Sequence, residues 1–176
     1  MNVYIISDTH GNIGMVDAIL ELSADADLVI HLGDDYRDAI PFIDAKIPLI
    51  RVPGTWGREY EDPMIENRRF EDFLGWHFFL THTPSKDLHD LPTDMDPEQV
   101  ISDGLCDIFC HGHTHEPKIS KMNDVVILNP GHLKAPNDRG FDASYANIII
   151  SNDACHIKII DHQSKCLIDD LTIYRT

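Results

Sequence analysis

Positive charge is scarce in this chain. Its 14 Lys and Arg stand against 30 Asp and Glu, a formal charge of −16 with His neutral. A surface that acidic repels a polyanionic backbone and argues against tight non-specific binding to a nucleic-acid duplex. Long apolar runs are missing too: none reaches the roughly 18 residues that a membrane span requires. Cysteine is sparse, at Cys106, Cys110, Cys155 and Cys166. That number does not make a disulfide scaffold in a chain this long, and no signal-like segment leads the sequence. Reduced, mostly buried thiols and a cytoplasmic protein are therefore expected. There is no Gly/Ser-rich linker, no repeat and no low-complexity stretch. The expectation is a single domain, 1–176, long enough for folding to remove about 70% of the extended chain's surface from water.

Histidine, by contrast, is concentrated. The stretch Asp107-Ile-Phe-Cys-His-Gly-His-Thr-His-Glu-Pro117 opens as a short apolar run, the pattern of a buried strand, and then sets His111, His113 and His115 at every second position. On an extended backbone that spacing points all three imidazoles the same way. Neutral imidazole is the commonest protein ligand for transition metals, so a metal site is the first hypothesis and a solvated His-rich turn the alternative.

The rest of the chain supplies further candidates at strand ends. Residues 2–7 are almost continuously apolar and β-branched, ending at Asp8-Thr9-His10-Gly11-Asn12, and Ile13 to Ser23 has helical spacing. The unit repeats with a strand over Asp27 to Leu32, the loop Gly33-Asp34-Asp35 and a helix over Tyr36 to Ile43 cut by Pro41. A third strand, Pro48 to Val52, ends in Pro53-Gly54-Thr55-Trp56-Gly57. Such alternation predicts a mostly parallel sheet with polar groups beyond its carboxyl ends. Arg68 to Leu74 reads as either helix or strand. Trp76 to Thr81 is a clearer strand that delivers His82, Pro84 to Pro97 reads as a long loop or lid, and Pro97 to Leu105 as a helix capped by Asp96. Apolar runs at Val125 to Leu128, Ala146 to Ile150, His156 to Ile160 and Leu167 to Tyr174 lack intervening helices and predict a second, largely antiparallel sheet.

Together, Ser7-Asp8-x-His10-Gly11-Asn12, Leu32-Gly33-Asp34, His82, Gly112-His113-Thr114-His115 and Asn129-Pro130-Gly131 resemble the calcineurin-like metallophosphoesterase superfamily, and within it the small YfcE-type phosphodiesterases. The resemblance covers nearly the whole chain. It implies an α/β fold, a four-layer αββα sandwich of two packed mixed sheets flanked by helices. It also implies two divalent metal ions, Mn foremost, with Fe, Zn, Ni or Co as alternatives. Carried over, Asp8, His10 and His115 hold one ion, His82 and His113 the other, and Asp34 bridges both, with Asp34 and His113 closest to the chemistry. His111 lies outside the pattern and is read as a surface histidine, with a partner behind the metal ligands as the alternative. The implied reaction is hydrolysis of a small-molecule or nucleotide-like phosphate ester, most simply a phosphodiester, by water activated between the ions. Separately, each acid could be an ordinary helix cap and His82 a core histidine.

Two positions depart from the pattern. Thr55 stands where the family's metal-binding Asn would be, a weaker ligand, and Trp56 stands where many members carry a proton-donating His. A loosely held second ion and good leaving groups follow as expectations. His132 replaces a usual Ser and reads first as a turn histidine, with substrate binding as the alternative, and Arg58 is read either as a phosphate-binding residue or as a surface partner of Glu59 or Glu61. The missing Asn keeps open a second function class, a ligand-depleted scaffold for protein interaction, against which six of seven expected ligands are retained. A metal-dependent amidohydrolase fits less well, because it favours His-x-His on the first strand. The expected partner is a small phosphorylated substrate, with no membrane and no duplex, and a homo-oligomer is left open.

Overall fold

The computed structural model describes residues 1–175. Strand β1 (Asn2–Ile6), helix α1 (Ile13–Leu22), strand β2 (Leu28–His31), helix α2 (Ile40–Asp44) and strand β3 (Leu49–Arg51) follow one another as β-α-β-α-β. The three strands pair in parallel, with Val3 opposite Leu28 and Ile30 opposite Ile50. Asn12 caps α1 by accepting from the Met15 amide. Pro41 does not cut a helix over 36–43. It lies in the first turn of α2, where its missing N–H costs nothing, and residues 36–39 form turns before it.

The chain then builds a second sheet. Strands β4 (Arg68–Phe73) and β5 (Trp76–Thr81) form an antiparallel hairpin. Helix α3 (Pro97–Ser102), capped by Asp96, leads to β6 (Ile108–Cys110), and β7 (Lys118–Met122) and β8 (Val125–Asn129) complete the order β4-β5-β6-β8-β7. After a small ribbon, β9 (Asn137–Asp138) with β10 (Phe141–Asp142), strands β11 (Ser144–Ile150), β12 (Ala154–Asp161) and β13 (Leu167–Tyr174) return to the first sheet, ordered β13-β12-β11-β1-β2-β3. The C-terminal runs therefore do not make a separate antiparallel sheet. β8 joins β6 in parallel, and β11 adds antiparallel to the free edge of β1.

Alternation along the strands explains the layers. Val3 and Ile5 face Phe78, Leu80, Ile108 and Leu128 in the core between the sheets, whereas Ile6 and Val29 turn outward to Val16, Ile19 and Phe42 of the helices. On the other sheet Phe79 and Phe109 face α3 through Val100 and Ile101. The result is the four-layer α/β sandwich with two mixed sheets and few helices. All four cysteines are free, and Cys166 is exposed. No helix among the described residues is long and apolar enough to cross a membrane.

Candidate metal centre

β1, β2, β5 and β6 end on the same rim, and backbone bonds tie their loops together. The Asp8 amide donates to the Gly33 carbonyl at 2.9 Å and the Gly112 amide to the His82 carbonyl at 3.0 Å. The His113 amide reaches across to Asp8 Oδ1 and Oδ2 at 3.1 and 3.0 Å. Close approach requires glycine at two points. At Gly33 (φ +105°) a Cβ would lie 2.5 Å from His82 Nδ1, and at Gly112 it would overlap Ser7 and Asp8.

The loops bend sharply. Asp8 (φ 53°), His10 (47°), Asp34 (48°), His113 (66°) and His115 (65°) all occupy the left-handed region. Asp and His tolerate that region better than most side chains, and such strain gathers at functional sites. The same bends correct the extended reading of residues 111–115. β6 stops at Cys110, so the three histidines do not share a direction. His113 and His115 enter the cluster. His111 turns away, buried rather than on the surface, with Nδ1 on the Gly112 carbonyl at 2.9 Å.

Within the cluster, ligand atoms of Asp8, His10, Asp34 and His115 all lie within 4.8 Å of one another. Asp34 faces both ways, its Oδ2 2.9 Å from His10 Nε2 and its Oδ1 3.3 Å from His82 Nε2. His82 Nε2 also meets His113 Nδ1 at 3.3 Å, and His10 Nε2 meets His115 Nε2 at 3.2 Å. Thus the six sequence candidates converge.

Hydrogen bonding fixes which ring nitrogens face the cluster. The N–H at Nδ1 of His82 donates to the Leu32 carbonyl at 2.8 Å, and Nδ1 of His115 donates to Asp138 Oδ2 at 2.5 Å. With neutral rings, each Nε2 then carries a lone pair, yet His115 Nε2 sits 3.2 Å from Asp8 Oδ1 and His82 Nε2 3.3 Å from Asp34 Oδ1. Acceptors facing acceptors need a cation between them, and a mixed N/O donor set without thiolate suits Mn, Fe, Zn or Co. The residues fit divalent ions.

The electrostatics favour the ligating forms of Asp8 and His113 but not that of His10. Burial acts to raise the Asp8 carboxyl, but the neighbouring His115 and His82 imidazoles, with Ser7, overcome this and hold it well below the carboxylate range. Burial, then His82, pushes His113 down towards the neutral imidazole, whereas the hydrogen bond to Asp34 raises His10.

The remaining candidates sit differently. Thr55 is 2% exposed and its hydroxyl has no hydrogen-bond partner among the described residues, while Gly54 before it is pressed against the Asp34 backbone. His132 is fully buried behind His115, with ring centroids 5.2 Å apart and Nε2 on the Phe141 carbonyl at 3.1 Å. It is out of a substrate's reach. Arg58 is exposed beside a cavity of about 440 Å3 shared with Tyr36, Arg37 and Arg51. It pairs with neither Glu59, which bonds Arg37 at 3.1 Å, nor Glu61 among the described residues.

Sequence reasoning missed Asp138, His31 and the anchoring of the 84–97 segment. His31, buried at the end of β2, bonds the Thr9 hydroxyl at 3.2 Å, and Asp38 accepts from the Gly11 amide at 2.8 Å, so both brace the loop carrying Asp8 and His10. The 84–97 loop is pinned: Arg68 Nη2 holds both oxygens of Asp90 at 2.8 Å, and the Tyr60 hydroxyl donates to Asp90 at 2.6 Å.

Residues 1–153 match the calcineurin-like phosphoesterase superfamily domain. The chain is 28% identical over 176 residues to a probable metallophosphoesterase, YsnB, of Bacillus subtilis, spanning 97% of this chain and 96% of that one. Among solved structures it resembles the Escherichia coli phosphoesterase Yfce (TM-score 0.71, 21% identity, 97% and 98% of the two chains). It also resembles Vacuolar Protein Sorting 29 of Cryptosporidium parvum (TM-score 0.72, 18% identity, 99% and 97% covered). These structural likenesses concern the fold.

Proposed function

The chain belongs to the calcineurin-like phosphoesterase superfamily, and from that premise we propose that it is a divalent-metal-dependent phosphodiesterase acting on small-molecule or nucleotide-like phosphate esters. The observation that carries this reading is the meeting of Asp8, His10, Asp34 and His115 within 4.8 Å, at acceptor-to-acceptor distances that call for cations. On this reading Asp8, His10 and His115 would hold one ion and His82 and His113 a second, with the Asp34 carboxylate within reach of both sets. The ions, when bound, polarise a phosphoryl oxygen and lower the pKa of an attacking water. The two carboxylates offset the ions' mutual repulsion. Asp138 and the Leu32 carbonyl hold His115 and His82 in the tautomer that presents Nε2. With Trp56 where a proton donor would stand, the chain favours esters whose leaving group departs without strong acid assistance.

Thr55 favours a second reading, a protein-binding scaffold with a weakened site. The two separate cleanly in one assay. Hydrolysis of bis(p-nitrophenyl) phosphate with added manganese is expected for the parent, and a fall of at least about a hundredfold for His113→Ala, in keeping with loss of charge stabilisation worth about 2.7 kcal/mol or more. Equal, background-level rates for both proteins would favour the scaffold.

A further inference from the structure

Trp56 leaves its indole 81% exposed, immediately after buried Thr55 on the loop whose Gly54 packs against Asp34. The ring leans on the His89 imidazole, from the loop after β5, with centroids 4.9 Å apart and planes inclined by 59°. That imidazole is fixed. Its Nδ1 and its backbone amide bond Asp87 Oδ1 at 2.7 and 2.9 Å, and the loop is anchored through Asp90 to buried Arg68. Both loops lead out of the cluster: Gly54, two residues before Trp56, packs against Asp34, and His82, directly after β5, opens the loop that carries His89.

A single exposed aromatic side chain is ordinary surface. Here two loops that both leave the metal rim bring their rings together, one braced and one open to solvent. Such an arrangement offers a π-face at the edge of a phosphate-binding centre, and stacking on aromatic side chains accepts any base because every base has a π-face. Resting on the phosphoesterase reading, we propose that Trp56, braced by His89, is a stacking platform that selects phosphate esters bearing a planar aromatic group, a nucleobase foremost.

AMP and ribose 5-phosphate differ only in the base, so their affinities for the manganese-loaded protein isolate the stacking contact. Calorimetric titration is expected to show AMP bound at least about fivefold more tightly, the lower end of stacking on one aromatic side chain. Trp56→Ala should bring the two constants together by weakening AMP alone, and Trp56→Phe should restore part of the difference. The optical readout is clean, because the chain's other tryptophan, Trp76, is 4% exposed at the opposite end of β5, beneath Arg175. AMP should therefore quench parent fluorescence and ribose 5-phosphate should not. Equal affinities in the parent, or an AMP preference that survives in Trp56→Ala, overturn the platform while leaving the phosphoesterase reading standing. Failure of both phosphates to bind overturns the platform as well, and hydrolysis of bis(p-nitrophenyl) phosphate then decides the phosphoesterase reading separately.

Discussion

His115 Nδ1 donates to Asp138 Oδ2 across 2.5 Å, and that one bond decides which nitrogen of a buried imidazole faces the cluster. Asp138 is itself held ionised. Lys134, bonded at 3.0 Å, then His115, bring its carboxyl down to about 2. Carboxylates behind metal-binding histidines typically contribute 10–100-fold in metal affinity or activity. Asp138→Ala should weaken metal binding by roughly that factor. Asp138→Asn, which keeps an accepting oxygen but loses the charge, should lose less. Calorimetric titration with manganese reads both, and an unchanged dissociation constant in Asp138→Ala would refute the role.

Thr55 invites the opposite experiment, a gain. Its hydroxyl is buried without a partner, and an amide oxygen of similar bulk is a better donor for a hard or borderline cation. The parent should take up two equivalents of metal in separate steps, the second weaker, and Thr55→Asn should draw the steps together. A tight, stoichiometric pair of ions in the parent would show that the hydroxyl suffices.

Much of this site was legible because its residues lie within a few positions of strand ends that hydrophobic patterning marks well. Asp8, His10, Asp34 and His82 follow β1, β2 and β5 directly. Asp138 was not legible: β9 and β10 are two residues each, too short for any periodicity, and the Asp reaches His115 only after a 23-residue excursion. The direction of His111 was misjudged because the alternation rule assumes extended backbone, which ends at Cys110. Sheet membership failed for a related reason. Local pattern identifies β8 and β11 as strands, but their partners are chosen by packing across the whole chain.

The segment over 84–97 reads as a long loop or lid in sequence, and a buried charge pair pins it. The Arg68 side chain is 2% exposed and bonds the Met95 carbonyl as well as Asp90. Removing one partner of a buried pair leaves the other charge without compensation, at about 3–5 kcal/mol. Asp90→Ala should lower the urea midpoint accordingly and open the segment to proteolysis. A loss below about 1 kcal/mol, the range of surface pairs, would mean that water reaches the guanidinium after all.

His31 makes the fold sensitive to mild acid. Burial takes its imidazole from 6.5 down to about 4, with the charge of His82 acting the same way and the carboxylates of Asp38, Asp8 and Asp34 opposing. Between those two values the unfolded chain binds a proton at this position that the folded chain does not, so stability is complete above pH 6.5 and declines as the pH falls toward 4. The gap corresponds to roughly 3 kcal/mol. Because His31 holds Thr9, between Asp8 and His10, the decline should begin at the metal loop. With metal removed by chelator, urea midpoints measured from pH 7 to 4.5 should fall more steeply for the parent than for His31→Gln, by up to one proton's slope of about 1.4 kcal/mol per pH unit. Parallel profiles would show that other buried histidines, His111 and His132 among them, carry the acid sensitivity.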